Sequence, residues 1–190
     1  MAGFGDHKKS QKKIKKNLKN NYFKEQIISN AFKFHKEGNI SEAIKYYKSF
    51  VSKGFEDKRV FSNFGLLLIG LGKLKEAELF TRKAIELNPN YAIAHMNLGG
   101  ILKELGNLKE AELSTRKAIE LNPNIVKAHM NLGGILKDLG KLKEAELFTR
   151  KALELNPNIA NAHSNLGGIL RDLGKLKEAE LFTRKAIELN

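Results

Sequence analysis

The string LKEAELFTRKAIELN stands at 74–88 and again, letter for letter, at 176–190. Between them, LKEAELSTRKAIELN fills 108–122 and LKEAELFTRKALELN fills 142–156, so each copy begins 34 residues after the last. AHMNLGGILK at 94–103 and 128–137, and AHSNLGGILR at 162–171, keep the same frame. Repetition at this period confines the chain to a stack of like units, because one such unit cannot bury its own apolar face. The units are 58–91, 92–125, 126–159 and 160–190, the last lacking its final residues. A degenerate copy at 24–57 keeps Gly38, Glu42, Ala43 and Tyr47 in frame with Gly72, Glu76, Ala77 and Thr81, but has Phe55 where Pro89 stands in the next.

Each unit reads as two helices. Ala94, Leu98, Ile101, Leu102 and Leu105 recur at helical spacing, and Gly106 supplies the left-handed residue that ends the first helix. Asn107, with Glu110 three residues on, predicts a capping box for the second helix. That helix turns Leu108, Ala111, Ala118, Ile119 and Leu121 inward until Asn122-Pro123 stops it, since proline disfavours helical geometry in the residue before it. The chain is therefore all-α.

The 34-residue period, with its spaced Leu-Gly, Gly, Glu-Ala, Ala and Pro, resembles the tetratricopeptide repeat over residues 24–190. It also resembles the repeat region of bacterial, cyanobacterial-type proteins. The resemblance implies a right-handed α-solenoid of tandem helix-turn-helix repeats whose first helices line a concave face. Two positions depart from the family pattern. His95, His129 and His163 replace an early aromatic in the first helix, and Thr81, Thr115, Thr149 and Thr183 replace a large residue in the second. Phe80, Phe148 and Phe182, one residue earlier than those threonines, can reach the seam on the face shared by Ala77, Phe80, Ala84 and Leu87. Ser114 lacks that ring, so unit 92–125 is expected to be the softest.

Composition removes several classes of function. There is no cysteine, hence no disulfide, thiolate catalysis or cysteine–zinc site. Residues 1–13 hold no apolar run suited to a signal peptide, and the longest apolar stretch, 64–71, is too short to span a bilayer. A cytoplasmic protein is the expectation. Of the net charge of +13, residues 1–23 carry +6 through Lys8, Lys9, Lys12, Lys13, Lys15, Lys16 and Lys19 against Asp6. This segment reads as a flexible basic tail, or as a helix with Ile14, Leu18 and Tyr22 on one side. Its lysines suit weak contacts with anionic partners.

No residue pattern performs chemistry. The three histidines lie one per unit, roughly 10 Å apart if helices pack at about 8–10 Å. Metal–nitrogen bonds are about 2 Å, so a packing role is expected and no metal site. Gly134 to Leu142 imitates a phosphate loop but has one residue too many between its glycines, and Leu142 where Ser or Thr must hold magnesium. No cofactor, small-molecule substrate or enzymatic activity is expected.

The sharpest positive signal is Asn63, Asn97, Asn131 and Asn165, in frame on the first helices. Asparagine is a mediocre helix residue. On a concave face its amide offers a donor and an acceptor to a peptide backbone. The alternative is that asparagine was simply copied when the unit duplicated. A comparable ladder occurs in the repeat region of O-linked N-acetylglucosamine transferases. Gly100, Gly134 and Gly168 lie one turn on, either leaving the groove roomy or making a tight helix contact. Lys103, Lys137 and Arg171 form rows there with Glu104, Asp138 and Asp172. A clamp for a terminal carboxylate would need cations and asparagines at Ser62, Leu66, Asn97, Lys127 and Asn131, and only Asn97 and Lys127 fit.

The sequence thus points to a protein-interaction scaffold binding a peptide or protein segment through Asn63, Asn97, Asn131, Asn165, Lys103, Lys127, Lys137 and Arg171. Two other readings stand beside it: the substrate-docking region of a transferase of the O-linked N-acetylglucosamine type, and a tether to nucleic acid or membrane through the tail. Self-association through the last unit is also expected, with apolar surface exposed around Leu173, Leu181, Phe182 and Ile187.

Overall fold

The computed structural model describes residues 4–189, with side chains at Ile14 and from Asn17 onward. Ten helices follow one another: α1 (Phe4–Lys36), α2 (Ile40–Ser52), α3 (Lys58–Gly70), α4 (Leu74–Leu87), α5 (Ala92–Glu104), α6 (Leu108–Leu121), α7 (Val126–Asp138), α8 (Leu142–Leu155), α9 (Ala160–Asp172) and α10 (Leu176–Glu188). No strand occurs among the described residues. Each odd-numbered helix forms a hairpin with the even one after it, and successive hairpins stack as an α-solenoid. Residues 4–23, the expected tail, are the leading part of α1, and Ile14, Leu18 and Tyr22 stand exposed on it.

The turns follow from glycine and proline. Gly106 takes φ of 80°, its amide donates to the Lys103 carbonyl (2.9 Å), and the Asn107 amide donates to that of Leu102 (2.8 Å). This pairing satisfies carbonyls that a helix end leaves open. Asn107 makes no side-chain cap, contrary to the expected capping box. Its φ and ψ, −83° and 59°, match those of Lys141, at −83° and 57°. The glycine turn sets this conformation, away from the extended geometry a cap side chain requires. At the far end Asn122 is pushed to φ −151° and ψ 98° ahead of Pro123, and its Oδ1 accepts from the Asn124 amide (3.0 Å). Asparagine on both sides of the proline signalled this turn in the sequence.

The two helices of each unit meet at one close approach. A methyl group added to Gly65, Gly99, Gly133 or Gly167 would strike the hydroxyl of Thr81, Thr115, Thr149 or Thr183 and crowd the carbonyl of Ala77, Ala111, Ala145 or Ala179. Threonine therefore fits where the family pattern has a larger residue. In three units its hydroxyl donates back to the alanine carbonyl at 2.8 Å. The phenylalanine before it packs at the seam edge: Phe80 against Phe61 and Phe64, Phe148 on His129, Phe182 on His163. Leu87 does not share this buried face and is exposed; the inward row is Ala77, Thr81 and Ala84. Where Ser114 replaces phenylalanine, His95 has no ring to stack on and is half-buried, whereas His129 and His163 are buried.

Ion pairs tie unit to unit. Arg116 bridges Glu112 of its own helix (2.9 Å) and Glu144 of the next unit (2.6 Å), while Lys141 reaches back to Glu112 (2.8 Å). Arg82 and Arg150 repeat the bridge. On α10, Arg184 has only Glu180 of its own helix. Leu176, Thr183 and Ile187 are exposed there, although Leu142, Thr149 and Leu153, their equivalents beneath a following pair, are covered at least in part. Of the surface expected to be apolar and open, Leu173 and Phe182 are half-buried. Leu181 is exposed in common with Leu79, Leu113 and Leu147, so its exposure is not a property of the end.

Gly133→Ala should destabilise the chain by about 1–3 kcal/mol through overpacking, measured by urea unfolding, because the new methyl meets Thr149. Full stability in that variant would refute the close approach.

Candidate functional site

The asparagine ladder does not form one row of free amides. Asn97 is 5% exposed, and its Nδ2 donates to the Ser62 Oγ at 3.2 Å. This corrects the expectation that its amide faces a ligand. The reason is local: Ser62 is the residue 34 positions before Met96, and Met96 and Met130 stand at the corresponding sites below Asn131 and Asn165. Methionine has no hydroxyl to offer. Asn131 is therefore half-buried, with its Nδ2 beside Gly100, and Asn165 is exposed. Asn63 lines a separate small hollow with Phe32, His35 and Lys36.

Two cavities adjoin on the first-helix face. One, of about 440 Å³, is lined by Gly100, Lys103, Asn131, Gly134, Lys137 and Asn165 among others. The second, of about 570 Å³, continues from Lys137, Ser164 and Asn165 to Gly168, Arg171 and Arg184. Together they form a trough that crosses α5, α7 and α9 and ends against α10. Asn131, Asn165, Lys103, Lys137 and Arg171 come together here; Asn63, Asn97 and Lys127 do not. Lys127 is exposed at the start of α7, and neither cavity includes it.

The glycines at 100, 134 and 168 make room rather than tight helix contacts. Lys103 places its ammonium where a methyl on Gly134 would stand, and Lys137 does the same at Gly168. Each lysine reaches across one unit to a carboxylate, Lys103 to Asp138 and Lys137 to Asp172, both at 3.4 Å. These pairs are long and half-exposed, so opening one costs little. Arg171 meets only Asp172, at 3.6 Å, and is exposed.

Sequence reasoning passed over Asn161, Ser164 and Arg184. Asn161 and Ser164 interrupt an otherwise copied row, standing where Lys127 and Met130 stand one unit earlier. Both lie in the trough. A departure from the repeat was the available signal.

The histidines are held in the fold. Nε2 of His129 donates to the Pro123 carbonyl (2.8 Å) and Nε2 of His163 to that of Pro157 (2.7 Å). Their rings stack on Phe148 and Phe182 at centroid distances of 6.0 and 5.7 Å. Near the smaller hollow, burial lowers the pKa of His35, whose Nδ1 meets the Tyr47 hydroxyl at 3.0 Å, and raises that of Tyr47. On the second helices, hydrogen bonds from Lys141 and then Arg116 hold the Glu112 carboxyl below its usual range, against the opposing pull of burial. Among the described residues no group of three or more His, Cys, Asp or Glu side chains gathers as a metal site, and no helix is long and apolar enough to cross a membrane. The side chains of Lys8, Lys9, Lys12, Lys13, Lys15 and Lys16 lie outside the described residues; Lys19 is exposed.

Four models of the tetratricopeptide repeat match the chain, at 59–91, 92–125, 126–159 and 148–180. No curated protein matches it in sequence. Among solved structures it is similar to PilF of Pseudomonas aeruginosa, with TM-score 0.78 and 19% identity, covering 90% of this chain and 78% of that one. It is also similar to MamA from Desulfovibrio magneticus, with TM-score 0.75 and 22% identity over 87% of this chain and 94% of that one. Identity at this level speaks for the fold alone.

Asn97→Ala should cost about 1–3 kcal/mol, the penalty for leaving the buried Ser62 hydroxyl unpaired, whereas Asn165→Ala should be neutral or slightly stabilising because alanine is the better helix former. Chemical denaturation of the two variants measures both; equal losses would mean that Asn165 is structural too.

Proposed function

The chain belongs to the tetratricopeptide repeat family, and from that premise we propose that its trough across α5, α7 and α9 binds an extended segment of another protein. A protein-interaction scaffold is the general role of such an array. The narrower reading rests on one observation: the trough is continuous from Gly100 to Arg184, with the amides of Asn131 and Asn165 turned into it. An amide accepts from a backbone N–H and donates to a backbone C=O, so two of them spaced by one repeat grip a strand whatever its sequence. Lys103, Lys137 and Arg171 line the same floor. Their carboxylate partners can be exchanged for acidic side chains of a ligand at little cost. Nothing in the trough is arranged for bond-making, and the proposal assigns it no catalysis.

The alternative is a docking role beside a transferase of the O-linked N-acetylglucosamine type, which would also take a peptide on this face. Self-association is a further part of the proposal, supported by the exposed Leu176 and Ile187 on α10. A second alternative is a tether to anionic nucleic acid or membrane through the lysines before residue 20; the proposal places the scaffold in the cytoplasm.

The test begins with random twelve-residue peptides displayed on phage and selected on the native chain. Affinity for the selected peptides should fall by about five- to a hundred-fold in the Asn131→Ala/Asn165→Ala variant, at about 0.5–1.5 kcal/mol for each hydrogen bond lost. Peptides that bind the double variant as tightly as the native chain would exclude the trough amides from recognition.

A further inference from the structure

The outer face of the second helices carries a row of leucines that the fold does not use. Leu79, Leu113, Leu147 and Leu181 occupy one register, and they are 54, 69, 63 and 67% exposed. On the same helices the inward row, Ala111, Thr115 and Ala118 in α6, is wholly buried. Leu113 lies about half a turn around from that row, so no rotation of α6 could bury both. Lysine, glutamate or arginine fills the neighbouring outer positions and would serve the helix as well. Leucine recurs at this one in all four units.

Each leucine has a lysine one turn before it on the same face: Lys75, Lys109, Lys143 and Lys177. These four are exposed and have no ion pair or hydrogen bond in the structure. The lysines one turn beyond are different. Lys117, Lys151 and Lys185 hold Glu120, Glu154 and Glu188 at 2.6, 2.8 and 2.9 Å. Two parallel rows therefore run along the array, one apolar and one of uncompensated positive charge. Beside Leu113 the surface also opens into a cleft of about 440 Å³, lined by Ile119, Leu132 and Phe148 together with Arg116, Lys117 and Glu120.

We infer that this outer face docks an acidic amphipathic helix of a partner protein, independently of the trough on the opposite side. An amphipathic helix carries an apolar stripe and charged flanks together, so its stripe can meet the leucines while carboxylates on its flank meet the free lysines. An anionic membrane suits the face less well. The leucines stand singly between charged groups instead of forming the continuous apolar band that interfacial helices bury.

The inference is tested with the full chain and a fluorescein-labelled amphipathic helical peptide that carries a leucine stripe on one face and glutamate on the flanking positions. The native chain should bind it, with affinity falling as salt rises. Leu113→Ser/Leu147→Ser and, separately, Lys109→Glu/Lys143→Glu should each weaken binding at least about tenfold. Helicity, read by circular dichroism on the same samples, should stay unchanged because all four positions face solvent. The Asn131→Ala/Asn165→Ala variant should bind the peptide normally. Absence of binding by the native chain, equal affinity in the outer-face variants, or loss in the trough variant would each overturn the inference. So would leucine-dependent binding to phosphatidylglycerol vesicles by a chain that ignores the peptide, which would make a membrane the occupant.

Discussion

Every unit of this array depends on one close approach, where a glycine of the first helix lies against a threonine hydroxyl and an alanine carbonyl of the second. The glycine brings no side chain of its own, so the two helices close on the threonine, and the same residues meet in each unit. That constancy lets small inter-unit contacts repeat in register. Arg116 reaches Glu144 on the outer side, Lys103 reaches Asp138 on the inner side, and each bond recurs one unit on. Individually such exposed pairs are weak. Their combined effect is to fix the turn from one hairpin to the next, and with it the trough between first helices.

The units, their glycine turns and their proline breaks could all be read from the sequence, because repetition at a fixed period and residues with restricted backbone angles are local signals. The fate of each asparagine could not. Asn97 and Asn131 have identical neighbours in sequence over most of their helices, yet one is buried and bonded and the other lines the trough. The difference lies 35 residues back, in Ser62 against Met96. The capping box at Asn107 failed for a similar reason, since the preceding glycine had already set the backbone.

In a chain of near-identical copies, information about function concentrates where the copies differ. Ser62 removes Asn97 from the surface. Ser114 leaves His95 without a ring to stack on. Ser164 and Asn161 add polar groups to the trough near α9, next to Arg171. The cationic end of the trough, the amides of Asn131 and Asn165 and the hydroxyl of Ser164 thus fall together in the later units. The aromatic packing that makes the N-terminal part rigid, from Tyr47 through Phe64 to Phe80, falls in the earlier ones.

The most direct test of a protein-binding trough is a site-specific photo-cross-linker placed at Asn131, Asn165 or Lys19 in the native cell, followed by mass spectrometry of the adducts. The account predicts discrete protein adducts from Asn131 and Asn165, reduced when Lys137 is changed to Glu. Adducts from Lys19 alone, with none from the two trough positions, would contradict it.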